Sequence, residues 1–261
     1  MEEEVNLPQA DIAHVHENSP MLEFMGKKVF IYGLGWFGGW LTDCLQAYGL
    51  RVIGKGSKQP FPTTHFDYAI HSASSGTKEF LDFVETLDIP KSLYISSGAI
   101  YGRNDDYAKT KRADEKLCGE HPANPVIARC FTFVGPRQHL DAQWAVGNFL
   151  KDALEGNYIT VRGDGKAVRS YMHMADLTVW LLTLLAKGSP GKPYNVGSEE
   201  AISIADLASM VGRITGRGIR IEGKPCQTDR YVPSTFSAKE LGLKVRIPLY
   251  ESLQRTWRWL N

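Results

Sequence analysis

The run Val29-Phe30-Ile31-Tyr32-Gly33-Leu34-Gly35-Trp36-Phe37-Gly38 decides the fold. Four apolar residues stop at a glycine, the pattern of a short strand buried in a parallel sheet. Behind them Phe37, Leu41, Cys44, Leu45 and Tyr48 recur with helical spacing and end at Gly49, a C′ glycine. Between strand and helix lies G-x-G-x-x-G. Gly33 permits the tight turn, Gly35 lets a pyrophosphate approach the backbone, and Gly38 lets helix and strand pack closely. The helix start then offers free N–H groups and the positive end of its dipole to phosphate. Strand, turn and helix together make this a dinucleotide signature, where the bare hexapeptide is weak. Trp36 and Phe37 are bulky for such a turn; packing against it and shielding a cofactor both fit them.

Working outward, short apolar strands are expected at 51–54, 68–71, 93–95 and 126–129, with helices at 78–87 and 107–119. Strands alternating with helices predict βαβ units and a parallel sheet. Helical patterns continue at 145–154, 176–187, 203–211 and 249–260, the third opened by the capping-box-like Ser203-Ile-Ala-Asp. The fold class is α/β: a Rossmann-like doubly wound parallel sheet with a smaller, interleaved C-terminal substrate lobe. The expected division is an extension at 1–25, a dinucleotide-binding domain at 26–131 plus about 172–197, and a substrate lobe at 132–171 plus 198–261.

Composition narrows the function. The chain has 261 residues, 43% hydrophobic and 23% charged, with net charge +1, a globular balance without the basic excess of a nucleic-acid binder. No apolar run approaches the roughly 20 residues that cross a bilayer, and the acidic start lacks the basic and apolar regions of a signal peptide. A cytoplasmic protein without nucleic-acid or membrane partners is expected. Cys44, Cys118, Cys130 and Cys226 show no CxxC spacing, so neither zinc nor a disulfide framework is implied. For His14 and His16, beside Asp11 and Glu17, a solvated helix face is preferred to a metal pair.

NAD-binding versions of this unit end the second strand with an acid for the ribose 2′-OH. Here Arg51-Val-Ile-Gly-Lys-Gly-Ser-Lys58 has none. Lys55, Ser57 and Lys58 fit a 2′-phosphate, which favours NADP; a solvated basic loop is the competing reading. Ten residues beyond Ser97, Tyr107 and Lys111 stand at i and i+4, on one helix face. A nearby ammonium favours the phenolate and lowers a phenol from its ordinary value near 10. Such a tyrosine exchanges a proton while hydride passes to or from a nicotinamide, with a serine hydroxyl on the same substrate oxygen.

At this point the chain resembles the extended short-chain dehydrogenases/reductases, in their NAD(P)-dependent nucleotide-sugar epimerase/dehydratase group. The stretches that carry the resemblance are VFIYGLGWFG, FDYAIHSAS, LYISSGAIYG, YAKTK, IARCFTFVGPRQ, ITVRGDGKAVRSYMHMADL, PYNVGSEEAISIADLA and the late LGLK, in the family's order. The resemblance implies Tyr107 as acid/base, Lys111 tuning it and holding the nicotinamide ribose, and Ser97 on the reacting oxygen. It implies Gly33, Gly35 and Gly38, flanked by Trp36 and Phe37, on the pyrophosphate, and Ser72 and Ser74 lining the cofactor. Arg169 and Arg230 match positions where relatives clamp a nucleotide diphosphate, which suits the arginine fork; Thr132, Arg137 and Asn148 are weaker substrate contacts. Cys130 reads as packing.

The departures are specific. Gly98-Ala99 follows Ser97 where 4,6-dehydratases carry Asp-Glu, which argues against that dehydration. R-x-F-N is missing, with Thr132 the nearest polar stand-in. The stretch between Lys58 and Phe66 lacks a usual strand and helix, and the segments at 75–77 and 102–107 are short. The resemblance implies hydride transfer at a sugar carbon, C4 first, on a nucleotide-diphosphate sugar, in a homodimer paired through helices near 78–87 and 107–119. An NADPH-dependent ketosugar reductase is the alternative, and a non-catalytic dinucleotide sensor or scaffold the second.

Overall fold

A computed structural model describes residues 7–56, 58–140, 144–224 and 229–261. In chain order the helices and strands are α1 (Gln9–Asn18), β1 (Lys28–Tyr32), α2 (Trp36–Ala47), β2 (Arg51–Lys55), β3 (Tyr68–His71), α3 (Thr77–Thr86), β4 (Lys91–Ser97), α4 (Asp106–Glu120), β5 (Val126–Cys130), β6 (Phe133–Val134) and α5 (Ala145–Glu155). There follow β7 (Tyr158–Gly163), β8 (Val168–Arg169), β9 (Met172–His173), α6 (Met174–Lys187), β10 (Pro193–Val196), β11 (Ile202–Ser203), α7 (Ile204–Thr215), β12 (Gly218–Lys224), β13 (Arg230–Tyr231), α8 (Phe236–Lys239) and α9 (Leu249–Leu260).

The chain divides into two compact units, one of Met1–Cys130, Ala175–Val196 and Thr235–Lys244, the other of Phe131–Met174, Gly197–Ser234 and Val245–Asn261. Thr235–Lys244, which the sequence division placed with the substrate lobe, clusters with the first unit.

The first unit holds a six-stranded sheet in the order β10-β5-β4-β3-β1-β2, with every pairing parallel. Strand order reverses at β1, between β2 and β3, and ligands of such sheets bind at the carboxyl ends beside that reversal. β3 is buried throughout and β4 exposes only Lys91, because helices cover a parallel sheet on both faces. β2 is different. Among the described residues it pairs with β1 alone, and its burial alternates from exposed Arg51 and Ile53 to buried Lys55.

Residues 56–67 connect β2 to β3 without an intervening helix or strand among the described residues. Aromatic side chains take their place. Phe61 and Phe66 from this connection pack with Phe30 and Phe83 at ring-centroid separations of 4.8 to 6.2 Å, and Phe30 meets Phe83 at 4.7 Å. Tilted rings at these distances gain quadrupole attraction beyond the area they bury. Phe30, Phe66 and Phe80 are fully buried in this cluster.

The N-terminal extension is not the solvated face that its His and Asp residues suggest. Asp11, Ile12 and Val15 of α1 are buried, His14 Nε2 lies 2.8 Å from Asp176 Oδ1 of α6, and His16 Nε2 lies 2.9 Å from the Cys44 carbonyl. Helix α6 is largely apolar and buried from Met174 to Ala186, so it needs cover from neighbours rather than a water-facing stripe.

In the second unit β7 pairs in parallel with β12. Their apolar residues join α5, α7 and α9 in one core that includes Phe149, Leu150, Ile159, Val161, Leu207, Val211 and Leu253. Ser203 caps α7: its Oγ accepts the Asp206 N–H at 3.0 Å and donates to Asp206 Oδ2 at 2.6 Å. Gly216 ends the helix in the left-handed region at φ 71°, where glycine carries no Cβ penalty.

Phe66→Ala is expected to lower unfolding free energy by about 3–5 kcal/mol, the cost of deleting a buried ring together with the cavity it leaves, measured by urea denaturation.

Candidate functional site

The glycine turn follows β1 as the sequence requires. Gly33 lies at φ 95°, and a Cβ there would stand 2.5 Å from the Ala73 nitrogen. The turn after β1 and the chain after β3 therefore touch backbone to backbone. A Cβ on Gly38 would collide with the Gly33 carbonyl and stand 3.3 Å from Ser72 Oγ. Gly35, the N-cap of α2, has nothing within 4 Å of where a Cβ would lie. Two glycines close the turn and the third leaves room beside free helix N–H groups, which fits a pyrophosphate. Trp36 and Phe37 pack on each other at 5.8 Å between centroids, both half-buried. Ser72 is half-buried and Ser74 exposed in the same loop.

Lys55 departs from its expected role. The β1–β2 register sets it opposite Tyr32, and its side chain turns inward, 4% exposed. Nζ lies 4.4 Å from the ring centroids of both Tyr32 and Phe61 and donates to the Gly56 carbonyl at 3.1 Å. The electron-rich ring faces hold the ammonium, so it is withdrawn from a 2′-phosphate. Lys58 is exposed, and Ser57 lies outside the described residues.

Ser97 ends β4 and caps the following 3₁₀ turn, Gly98–Tyr101, accepting the Ala99 N–H at 3.2 Å. Gly98 and Ala99 are buried in that turn, which brings no carboxylate beside Ser97. Helix α4 opens on Asp105, whose carboxylate accepts the Ala108 N–H at 2.9 Å. Arg112 donates to the carbonyls of Ile100 and Arg103 at 2.9 and 3.0 Å, which ties down the short loop ahead of Tyr107. Tyr107 is half-exposed, and the Ser97 hydroxyl stands near enough to act on its phenol.

Partial burial holds the Tyr107 phenol above its ordinary value, against the downward pull of the Ser97 hydroxyl. The sequence expectation has Lys111 lowering this phenol; the direction here is upward and is set by burial. The Lys111 ammonium is engaged elsewhere: Nζ donates to Tyr94 Oη at 3.1 Å and to the Ile95 carbonyl at 3.2 Å. Burial lowers its pKa, and the Asp114 carboxylate opposes that shift. Tyr94 and Asp114 were not singled out in the sequence, although Asp114 stands three residues beyond Lys111, on its helix face. Cys130 is buried, and burial pushes its thiol well above the usual range, so it stays protonated and packs.

His71 ends β3 just before Ser72. It is fully buried among Tyr32, Phe80 and Tyr94, with ring centroids at 5.1 to 5.2 Å. Neither ring nitrogen has a hydrogen-bond partner of full geometry. Burial first, and the Lys111 charge second, push its pKa down to about 3.

The substrate candidates lie in the second unit. Asn148 lines a cavity of about 250 Å³ together with Phe149, Asp152, Thr160, Arg162 and Ile204. Asp152 Oδ2 accepts the Thr160 N–H at 2.8 Å, which joins α5 to β7 at its wall. Thr132, Arg137, Arg169 and Arg230 are not among the described residues lining it. Thr132 Oγ1 donates to the Ser170 carbonyl at 2.6 Å. Arg137 is held in the left-handed region at φ 61°. Arg169 Nη2 pairs with Asp229 Oδ1 at 3.0 Å, and Arg230 is exposed. The sequence missed Phe149, Asp152 and Arg162; their only signal was the spacing of Asn148 and Asp152, i and i+4 on one helix face.

The model of the NAD dependent epimerase/dehydratase family matches residues 57–197. The chain belongs to that family. It is 31% identical over 158 residues to UDP-glucuronic acid decarboxylase 1 of Xenopus tropicalis, covering 58% of this chain and 37% of that protein. The chain thus spans well under half the length of that curated relative. Among solved structures it resembles RMD from Pseudomonas aeruginosa complexed with NADPH, at TM-score 0.76 and 22% identity, over 89% of this chain and 98% of that one. UDP-glucose 4-epimerase from Thermotoga maritima with UDP-glucose matches at TM-score 0.75 and 18% identity, over the same shares. At identities this low the likeness shows the Rossmann-like fold alone. Among the described residues no helix is long and apolar enough to cross a membrane, and no cluster of His, Cys, Asp and Glu could hold a metal ion.

The pH dependence of stability follows from His71. With a pKa near 3 folded and about 6.5 unfolded, the unfolded chain alone binds this proton between those values. Stability is therefore full above pH 6.5 and falls on acidification by up to about 1.4 kcal/mol per pH unit. In His71→Phe the slope of unfolding free energy between pH 6 and pH 4 is expected to lose about one proton's worth, read from urea titrations at several pH values.

Proposed function

We propose that the chain is an NAD(P)-dependent oxidoreductase of the epimerase/dehydratase type that moves hydride at a sugar carbon, C4 first, of a nucleotide-diphosphate sugar. One observation carries this reading. The turn that leaves space at Gly35 and the Ser97–Tyr107 pair stand at the carboxyl ends of β1 and β4, in one sheet. A relative named for a UDP-sugar reaction and a fold neighbour with UDP-glucose support the substrate class.

A bound nicotinamide supplies the hydride acceptor or donor. The chain's residues do the rest. The Gly33–Gly38 turn and the start of α2 hold the pyrophosphate, with Ser72 and Ser74 beside it. Ser97 Oγ holds the sugar oxygen, and Tyr107 Oη takes or returns its proton. With burial holding its pKa above the ordinary value, Tyr107 is protonated at neutral pH and serves first as the acid. It becomes a base as the charge around it changes on ligand binding. Lys111 holds the nicotinamide ribose through an N–H that its own contacts leave over. Asn148 and its cavity receive the nucleotide, and Arg169 exchanges Asp229 for phosphate. Gly98 and Ala99 leave no acid beside Ser97 for removing water, which sets 4,6-dehydration apart.

A NADPH-dependent ketosugar reductase is the second reading, favoured by the absence of an acid at the end of β2. With Lys55 sequestered, Lys58 and Ser57 are left to meet a 2′-phosphate. The family resemblance further pairs two copies through α3 and α4.

The deciding experiment is mass spectrometry of nucleotide released from gently purified protein, followed by NADH and NADPH titrations and sugar assays. Retained NAD⁺ with turnover of a nucleotide sugar is expected, and Tyr107→Phe is expected to lower kcat by about 10²–10⁴-fold while cofactor stays bound. Empty protein that prefers NADPH gives the reductase. Binding of neither cofactor overturns the reading. Lys55→Met is expected to leave the ratio of NADH to NADPH affinity within about twofold, well below the tenfold that 1.4 kcal/mol gives; Lys58→Ala is expected to weaken NADPH selectively.

A further inference from the structure

Lys111 is held from β4 by Tyr94, and Asp114 stands behind Tyr94. Its side chain is 4% exposed. An ammonium has three N–H donors, and two are spent on Tyr94 Oη at 3.1 Å and the Ile95 carbonyl at 3.2 Å. Both acceptors are neutral, and a buried charge with neutral partners alone is costly. Compensation arrives at one remove. Tyr94, fully buried, donates its hydroxyl proton to Asp114 Oδ2 at 2.8 Å. That commits the hydroxyl's hydrogen to the carboxylate and leaves its lone pairs for Lys111.

We propose that Tyr94 and Asp114 are positioning residues for Lys111: they fix where its ammonium stands and keep it charged, with one N–H left for the dinucleotide. The inference rests on the cofactor reading above. Two features separate it from simple packing. First, the ring of Tyr94 already packs against His71 without its hydroxyl, so the Tyr94–Asp114 bond adds direction rather than volume. Second, the neighbouring bond of the same kind, Ser96 Oγ to Glu115 Oε1 at 2.5 Å, ends on a carboxylate neutralised by Arg129 at 2.6 Å. Asp114 has no ion pair among the described residues, so its charge acts through Tyr94. The titratable groups around Lys111 are His71 from β3, Tyr94 from β4, Cys130 from β5, and Asp114, Glu115 and Cys118 from its own helix. His71 is neutral above pH 3 and Cys130 stays protonated, which leaves Asp114 as the charge nearest in effect.

The test reads the lysine directly. Titration of ¹³Cε-lysine by NMR in the ligand-free protein, with Lys111→Met for assignment, is compared across wild type, Tyr94→Phe, Asp114→Asn and Ser96→Ala. NADH affinity is measured alongside by fluorescence. Removing the acceptor or the negative charge makes the ammonium easier to deprotonate. Tyr94→Phe and Asp114→Asn are expected to move the Lys111 titration down by about one pH unit and to weaken NADH about tenfold. Ser96→Ala is expected to move neither. An unchanged Lys111 titration in both variants overturns the proposal, as does a shift in titration with NADH affinity intact. If wild type binds neither NADH nor NADPH, the cofactor reading fails on its own, while the titration still judges the placement of Lys111.

Discussion

The structure depends on how closely two backbones meet at the reversal in strand order. Parallel pairing of β1 with β3 delivers the turn after one strand against the chain after the other, and only a residue without a side chain, at φ 95°, fits at Gly33. Gly38 is required by the return of the helix over that same turn. The candidate phosphate cradle is therefore a by-product of sheet register. The spacing of 4.7–4.9 Å between strands sets where its N–H groups face, and α2 inherits its direction from the turn.

Around this point the polar groups fall into two classes. Those on the open side, Ser72, Ser74 and Tyr107, keep contact with solvent. Those below, His71, Tyr94, Lys111 and Asp114, form a buried or half-buried layer in which a charge is tolerated because hydrogen bonds carry it toward a carboxylate. Such layers are rigid when every member is satisfied, and His71 is the member that is not. Its neutrality follows from that: a protonated imidazole there would face the Lys111 ammonium without a partner.

The sequence was legible where one local rule governs. The glycine turn, five strands of the parallel sheet (β1 to β5) and α4 could be read because apolar runs, turn glycines and helical spacing each act over a few residues, whereas β10 carried no such signal. Strands β8, β9, β11 and β13 were not, since two-residue ladders carry no periodicity. Lys55 shows a different limit. Its type suggested a phosphate ligand, but β1–β2 register and the aromatic rings of a linker decide which way it faces. The same holds for Lys111. Helix spacing placed it with Tyr107, whereas its hydrogen bonds come from β4, whose approach no local pattern reveals. Among the substrate candidates, Asn148 reached a cavity because it lies on a regular helix, while Arg169 took the nearest carboxylate.

The edge position of β2 has a consequence for assembly. A strand paired on one side only presents free N–H and C=O groups along the other, a template for another chain. Here the strand is five residues long, starts with an exposed arginine, and ends with an ammonium folded under the sheet. A foreign strand that docked in register and flattened β2 would have to draw Lys55 out from between Tyr32 and Phe61 or bury its charge against new apolar neighbours. Charges aimed inward from an edge are one of the ways natural sheets resist pairing with each other. The residue that sequence reading assigned to cofactor choice thus stands where drawing out its charge opposes that growth of the sheet.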